Sequence, residues 1–135
     1  MADSCAPARA ASNCAVRCNA TAGVGTNLAV RVRIVGGGEA AVASEARLSY
    51  VPPTIASVHG SGATDASTAG GQLFTLVGEG FGPPWLELAP PSVRYGAHAA
   101  TNCRVLSDAQ LECVTAEGTG GPHALAVHGV GGQSS

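Results

Sequence analysis

The sequence contains no lysine, few aromatic residues and no long apolar run. All seven of its basic residues are arginines, and its formal net charge is −2. Such a chain offers no broad cationic surface to a phosphate backbone, so we expect no nucleic-acid partner. No segment approaches the roughly 18 apolar residues of a membrane-spanning helix. We therefore expect contact with a membrane only through an anchor elsewhere in a longer protein.

The first sixteen residues have neither a basic start nor an apolar core, so this stretch predicts no export signal. The five cysteines, in contrast, indicate an exported protein. Their number is high for a small chain rich in glycine and alanine, and it favours an oxidising compartment. We interpret the sequence as a segment of a longer extracellular or cell-surface protein whose export signal lies outside the segment.

Helical periodicity is also missing, because glycine or proline interrupts nearly every window of about ten residues. Apolar and polar residues alternate instead, and Leu28, Val30, Val32 and Ile34 fall on one face of a predicted strand. Further short runs predict strands with these inward residues: Phe74, Leu76, Val93, Tyr95, Cys103, Val105, Leu111, Cys113, Leu125 and Val127. Short strands separated by turn residues indicate an all-β sandwich or barrel.

The sequence repeats itself at an offset of 95 residues. Both copies contain a cysteine, a Gly-x-Gly turn, an alternating strand and a Gly-Gly bend. The coinciding residues are Cys18 with Cys113, Gly23 with Gly118, Gly25 with Gly120, and Gly36-Gly37 with Gly131-Gly132. Such self-similarity is typical of an array of domains. Between the copies, Tyr50 and Pro52-Pro53 predict a stiff link into the next strand.

Five short motifs follow this link in order: "PPTIASV", "AGGQLFTLVGEGFG", "VRYG", "LSDAQLECVT" and "GPHALAV". Together they resemble an IPT/TIG domain, the immunoglobulin-like fold found in plexins, the hepatocyte growth factor receptor, fibrocystin-like proteins and Rel-type transcription factors. The resemblance implies an immunoglobulin-like β-sandwich of the E-set type. It makes residues 50–135 a near-complete domain, and residues 1–49 the C-terminal half of a preceding, incomplete one.

For function, the resemblance implies a non-catalytic repeat of a cell-surface or secreted protein that acts in adhesion, in ligand binding or as a spacer. It implies no cofactor and leaves the protein or glycan ligand unidentified. An alternative is an accessory module of a polysaccharide-processing enzyme, since similar domains occur in some glucan-converting enzymes. A Rel-type DNA-binding domain would need basic loops, and the negative net charge argues against it.

The cysteines are placed to form pairs. Cys103 and Cys113 flank two short predicted strands joined by a turn at Ser107-Asp108, so they can face each other across a hairpin. Cys5 and Cys18 occupy comparable places in the first copy. Cys14 is then free, paired with Cys5 instead, or bridged to another segment. The alternative is that all five are reduced and buried.

Two further residues are candidate surface sites. Asn19 begins the sequon "NAT", which predicts N-glycosylation if the protein is exported. Trp85 lies in the proline-flanked loop "GPPWLEL", where we favour a lid over one end of the sandwich. The second interpretation is an exposed contact for a partner.

Other site chemistries find little support in the sequence. "CAVRC" has no second cysteine or histidine pair at ligand spacing, so we expect no metal site. The motifs "GEGFG" and "GVG" precede no helix, so they are turn glycines rather than a nucleotide-binding loop. Asp65, Asp108, His59 and His98 supply the residue types of a catalytic triad, but no local signature selects any of them. We therefore expect no catalysis.

Overall fold

The computed structural model describes residues 5–9, 14–34, 36, 38–40, 46–86 and 90–135. These residues form fourteen β-strands and no helix. No described helix is therefore long or apolar enough to cross a membrane. The strands are β1 (Cys5–Arg9), β2 (Cys14–Cys18), β3 (Leu28–Ala29), β4 (Val32–Ile34), β5 (Gly38–Ala40), β6 (Arg47–Leu48), β7 (Thr54–His59), β8 (Leu73–Glu79), β9 (Ser92–Tyr95), β10 (His98–Ala99), β11 (Thr101–Ser107), β12 (Gln110–Val114), β13 (Leu125–Val130) and β14 (Gln133–Ser134).

Two four-stranded antiparallel sheets form the main body, with strand orders β11-β12-β8-β7 and β10-β9-β13-β14. Strand β8 shows why the sequence gives this arrangement. Its side chains alternate between exposed and buried, with Phe74 and Leu76 inward, as a strand with one covered face requires. The fold is an all-β, immunoglobulin-like sandwich, which confirms the predicted fold class.

The core lies between the two sheets. Phe74, Leu76, Leu111 and Cys113 come from the first sheet, and the second contributes Val93, Val127 and Val130. Leu125, Tyr95, Cys103 and Val105 pack against this cluster while partly buried. All the inward positions predicted between residues 74 and 127 therefore belong to the core or to its rim.

Phe81 reaches the core from the loop after β8, and the turn between β11 and β12 holds it there. Its N–H donates to the Asp108 carbonyl at 3.0 Å, and the next N–H, of Gly82, donates to Asp108 Oδ1 at 3.0 Å. Asp108 thus accepts hydrogen bonds from two loop N–H groups that would otherwise have no partner in the protein. Phe81 is 2% exposed. Asp108 therefore has a structural role, which its interpretation as a turn residue anticipated.

The described residues before residue 50 form three separate two-stranded sheets, β1-β2, β3-β6 and β4-β5. The predicted single strand over residues 28–34 is wrong. It divides into β3 and β4, and Leu28 and Val30 are 40% and 39% exposed. Alternation alone cannot indicate whether a second layer covers the apolar face. The division of the chain at residues 49 and 50 stays a prediction.

A disulfide joins β11 to β12. Cys103 and Cys113 are bonded, with their Cα atoms 4.1 Å apart, and the Cys113 side chain is fully buried. Beside it on the outer face, Arg104 and Glu112 form an ion pair at 2.6 Å, with the arginine side chain 69% exposed. The disulfide is the stronger link of the two, because exposed ion pairs contribute little to stability. This confirms the predicted pairing of Cys103 with Cys113.

Removing the Cys103–Cys113 disulfide should destabilise the sandwich. The double variant Cys103→Ala, Cys113→Ala should lose about 2 to 3 kcal/mol of unfolding free energy, because the loop is no longer closed in the unfolded chain. Urea unfolding measures this loss. Chemical reduction is less selective, because Cys18 is also disulfide-bonded.

The matched control for the disulfide variant is Arg104→Gln, which removes the neighbouring ion pair and leaves both sulfurs. It should change the unfolding free energy by less than about 1 kcal/mol. Equal stability of the double alanine variant and the parent would contradict the assigned role of the disulfide.

Candidate functional site

A junction joins the segment around Gly25 to the end of the β13-β14 hairpin. The N–H of Gly25 donates to Gln133 Oε1 at 3.3 Å, and its carbonyl accepts the N–H of Tyr50 at 2.8 Å. Gln133 Nε2 in turn donates to the Tyr50 carbonyl at 2.9 Å. The side-chain amide of Gln133 therefore connects two backbone segments that are distant in sequence.

Glycine is required at this junction on both sides. Gly131 and Gly132 form the two-residue turn between β13 and β14, with φ angles of 57° and 83°. A type I′ hairpin turn needs two such positive angles, which explains the Gly-Gly sequence. A Cβ on Gly131 would lie 2.6 Å from the amide nitrogen of Gly25. The two backbones thus approach more closely than any side chain at Gly131 would allow.

Apolar contacts extend the junction. Val24 packs against the core cluster of the sandwich, and a Cβ on Gly82 would lie 2.5 Å from Val24 Cγ1. Tyr50 covers the other side, where its hydroxyl donates to the Thr21 carbonyl at 2.8 Å and its ring lies against Gly23. The segment over residues 21–25 is therefore fixed to the sandwich by packing as well as by hydrogen bonds.

A second candidate site is a cleft of about 580 Å³ at the end of the sandwich, which we call the ring cleft. Four rings line it, those of Phe74, Tyr95, His98 and His123. The Tyr95 and His98 ring centres are 5.7 Å apart, and those of His98 and His123 are also 5.7 Å apart. Tyr95 Oη accepts the N–H of Ala116 at 2.8 Å, which fixes the ring at the cleft wall. The rings are tilted or edge-on to one another, with interplanar angles of 35° for Tyr95 and His98 and 67° for His98 and His123.

The structure brings together one serine and one histidine, on the edge strand β7. Ser57 Oγ lies 2.9 Å from His59 Nε2, and the two residues share a strand face because they are two positions apart. Among the residues that the structure describes, no carboxylate hydrogen-bonds to His59, and neither residue lines the ring cleft. The arrangement therefore lacks the third group that orients a catalytic base.

The other triad candidates lie apart. Asp108 holds the Phe81 loop, Asp65 lines the ring cleft, and the His98 ring lies tilted beside that of Tyr95. Within the described ranges, no group of three or more histidine, cysteine, aspartate or glutamate side chains could hold a metal ion.

The cysteines of the first copy lie on the β1-β2 hairpin. The backbone register places Cys5 opposite Cys18, and Cys14 opposite Arg9. Cys18 is disulfide-bonded. The side chains of Cys5 and Cys14 lie outside the described part of the structure, so the pairing of Cys5 with Cys18 and the state of Cys14 stay predictions.

The two predicted surface residues are both accessible. Asn19 directly follows β2 and is exposed. Trp85 is 67% exposed, so it does not form the lid that we favoured. It sits in a tight turn closed by a hydrogen bond from the Leu86 N–H to the Pro83 carbonyl at 3.1 Å. The indole therefore points outward from this turn instead of over the core.

Sequence reasoning missed Gln133 and the ring cleft. Gln133 is a single polar residue after a turn, and nothing local reveals a partner more than a hundred residues earlier in the chain. The sequence feature that could have indicated the positions of His98 and His123 is the glycine beside each ring. A Cβ on Gly118 would lie 2.5 Å from the His98 ring, and one on Gly96 would lie 2.7 Å from His123. Glycine at these positions leaves room for a ring, but it reads as an ordinary turn residue.

The two glycines of the β13-β14 turn provide a matched test of the junction. Both Gly131→Ala and Gly132→Ala should cost roughly 1 to 2 kcal/mol, because alanine disfavours a positive φ. Only Gly131→Ala should also separate Gly25 from Gly131, because nothing lies within 4 Å of a Cβ on Gly132. Hydrogen exchange at the Tyr50 amide measures this separation.

The expected result is faster exchange of the Tyr50 amide, by about tenfold, in Gly131→Ala but not in Gly132→Ala. Equal exchange rates in the two variants would mean that Gly131 serves only its own hairpin. The close contact between Gly131 and Gly25 would then contribute nothing to the stability of the junction.

Comparison with known proteins places the sandwich in a family. A family model described as IPT/TIG domain matches residues 53–135, from the last residue before β7 to the end of the β13-β14 hairpin. Neither a curated protein nor a solved structure matched the chain. An IPT/TIG domain is a non-enzymatic, immunoglobulin-like module, in agreement with the two facing sheets of the sandwich. The chain belongs to the IPT/TIG domain family.

Proposed function

We propose that this chain is a segment of an extracellular or cell-surface array of IPT/TIG repeats, with no catalysis of its own. It acts in adhesion, in ligand binding or as a spacer. The disulfide between Cys103 and Cys113 carries the proposal, because such bonds persist in oxidising environments and are rare in the cytosol and nucleus. The bonded state of Cys18 supports it independently.

The correspondence at an offset of 95 residues supports the array. The β1-β2 hairpin corresponds to β11-β12, and the β4-β5 hairpin corresponds to β13-β14. The backbone agrees too, because Gly25 and Gly120 both have a positive φ, 120° and 96°. Two copies of one supersecondary unit in one chain are what a tandem repeat requires.

The junction described above supports a spacer role within the array. Gln133, Gly131 and Tyr50 hold the segment over residues 21–25 against the following sandwich. Contacts of this kind restrict the relative motion of consecutive units more than a free linker would. A stiff array projects its distal repeats away from the surface that bears it.

Trp85 is the proposed partner contact. Indole is a large, apolar group with one hydrogen-bond donor, and it is enriched where proteins bind each other. The turn hydrogen bond and the flanking prolines limit the backbone freedom that binding would remove.

The exposure of Trp85 can be measured directly, because it is the only tryptophan of the chain. Since the indole is 67% exposed, we expect red-shifted emission and efficient quenching by acrylamide in the folded chain. Trp85→Phe, which removes the signal, is the blank. Blue-shifted emission that acrylamide barely quenches would show a buried indole and remove Trp85 from the proposal.

Peptide mapping of the protein from its native source tests the extracellular assignment. Alkylation without reduction should leave Cys103 and Cys113 unmodified and joined in one linked peptide. The peptide with Asn19 should carry an N-glycan, because the sequon follows β2 at an exposed position. In a secreted recombinant form, Asn19→Gln should remove the glycan and Thr21→Ser should retain it.

Five alkylated thiols and an unmodified Asn19 in the native protein would overturn the proposal. The module would then belong in a reducing compartment, where an accessory role beside an enzyme becomes the better explanation.

A further inference from the structure

The two Gly-x-Gly turns of the chain share a positive φ at their second glycine, 120° at Gly25 and 96° at Gly120. A Cβ on Gly25 would meet the side chain of Leu28, and one on Gly120 would meet that of His123, three residues later in each case. The two turns thus agree up to this glycine and differ after it, where Gly121 has a φ of 154° and Asn27 a φ of 56°.

Their surroundings differ. Gly25 is buried, and both its N–H and its carbonyl are hydrogen-bonded across the junction. Gly120 is exposed, and within the described ranges nothing hydrogen-bonds to its backbone. The same turn is thus covered at one position of the chain and uncovered at the other.

We propose that the segment over residues 118–123, which we call the distal turn, is the docking surface for a further IPT/TIG repeat. The further repeat would contact Gly120 as Gly131 and Gln133 contact Gly25. This inference rests on the proposed array. Its partner is defined by chemistry: a Gly-Gly hairpin turn followed by a glutamine whose amide reaches the Gly120 backbone.

The geometry of the junction at Gly25 indicates which residues of the distal turn would lie at the centre of the proposed contact. In the first junction, Val24 packs where Gly82 leaves room, and Gly25 lies against Gly131. At an offset of 95 residues, Thr119 takes the place of Val24, and Gly120 that of Gly25. Threonine has nearly the shape of valine and keeps one methyl group for such a contact. Both Thr119 and Gly120 are exposed and available to a partner.

One contact differs between the two turns. The Tyr50 ring lies 2.9 Å from a Cβ on Gly23, whereas the His98 ring lies 2.5 Å from a Cβ on Gly118. The His98 ring of the sandwich already covers Gly118, so the tyrosine ring of a docking repeat cannot take that place. The distal contact is therefore centred on Thr119 and Gly120.

A chain extended by one repeat tests the proposal. Residues 1–135 are followed directly by a second copy of residues 41–135. Ser135 corresponds to Ala40 at the offset of 95 residues, so this fusion keeps the spacing of the repeat. Isotope labelling of residues 1–135 alone allows the Gly25 and Gly120 amides to be followed by hydrogen exchange.

The Gly120 amide should exchange about tenfold more slowly in the extended chain than in the 135-residue chain. Gly25 is the internal reference, because its junction is present in both. Two matched variants assign the contact. Gln133→Ala in the added copy should release Gly120 and leave Gly25 protected, whereas Gln133→Ala in the original copy should release Gly25 alone.

Unchanged exchange at Gly120, with Gly25 still protected, would overturn the inference. An added repeat that fails to fold would also count against it, because the same residues fold against Gly25 in this chain. Slower exchange at Gly120 that the added Gln133→Ala does not reverse would also overturn it, because the contact would then not be made by the proposed glutamine. None of these outcomes affects the disulfide and glycan mapping, so failure of the array proposal can be distinguished from failure of this interface.

Discussion

The contact between two β-sheets with small inward side chains is the constraint on which the other features depend. Most of the core residues are valines and leucines, with Phe74 and Phe81 as the large fillers. Such a core removes less apolar surface per residue than one rich in aromatics, so each additional link carries more of the stability. The Cys103–Cys113 disulfide and the Asp108 turn are two such links, and both lie at the β11-β12 hairpin.

Glycine controls how closely the remaining parts approach this core. At Gly131 its absent side chain allows the hairpin to touch the Gly25 backbone, and at Gly118 and Gly96 it leaves room for the imidazole rings. The same residue type therefore builds both candidate surfaces. A thin core and a glycine-rich surface are consistent with a module that presents backbone and rings to neighbours rather than a charged or catalytic centre.

The sequence predicts the sandwich better than it predicts its surfaces. Alternation in β8 and β12 depends on local neighbours, so Phe74, Leu76, Leu111 and Cys113 could be assigned inward from the sequence alone. Alternation over residues 28–34 is equally clear, yet this segment breaks into two short strands and leaves Leu28 exposed. Periodicity reports which residues share a face, but only tertiary packing decides whether that face is covered. Trp85 shows the same limit, because the direction of a side chain on a proline-flanked turn depends on backbone geometry that composition does not encode.

The junction also constrains the kind of assembly that the proposed array can form. The Gly25 turn and the Gly131–Gln133 hairpin are different surfaces, so the contact between them is heterologous and has a direction. Heterologous contacts repeated along one axis give an open series, whereas a closed pair needs one surface that matches itself. In this chain the hairpin already holds Gly25. If the distal turn docks a further repeat, as we propose, growth proceeds from that turn, one repeat at a time, and two copies of this chain do not close on each other through these surfaces.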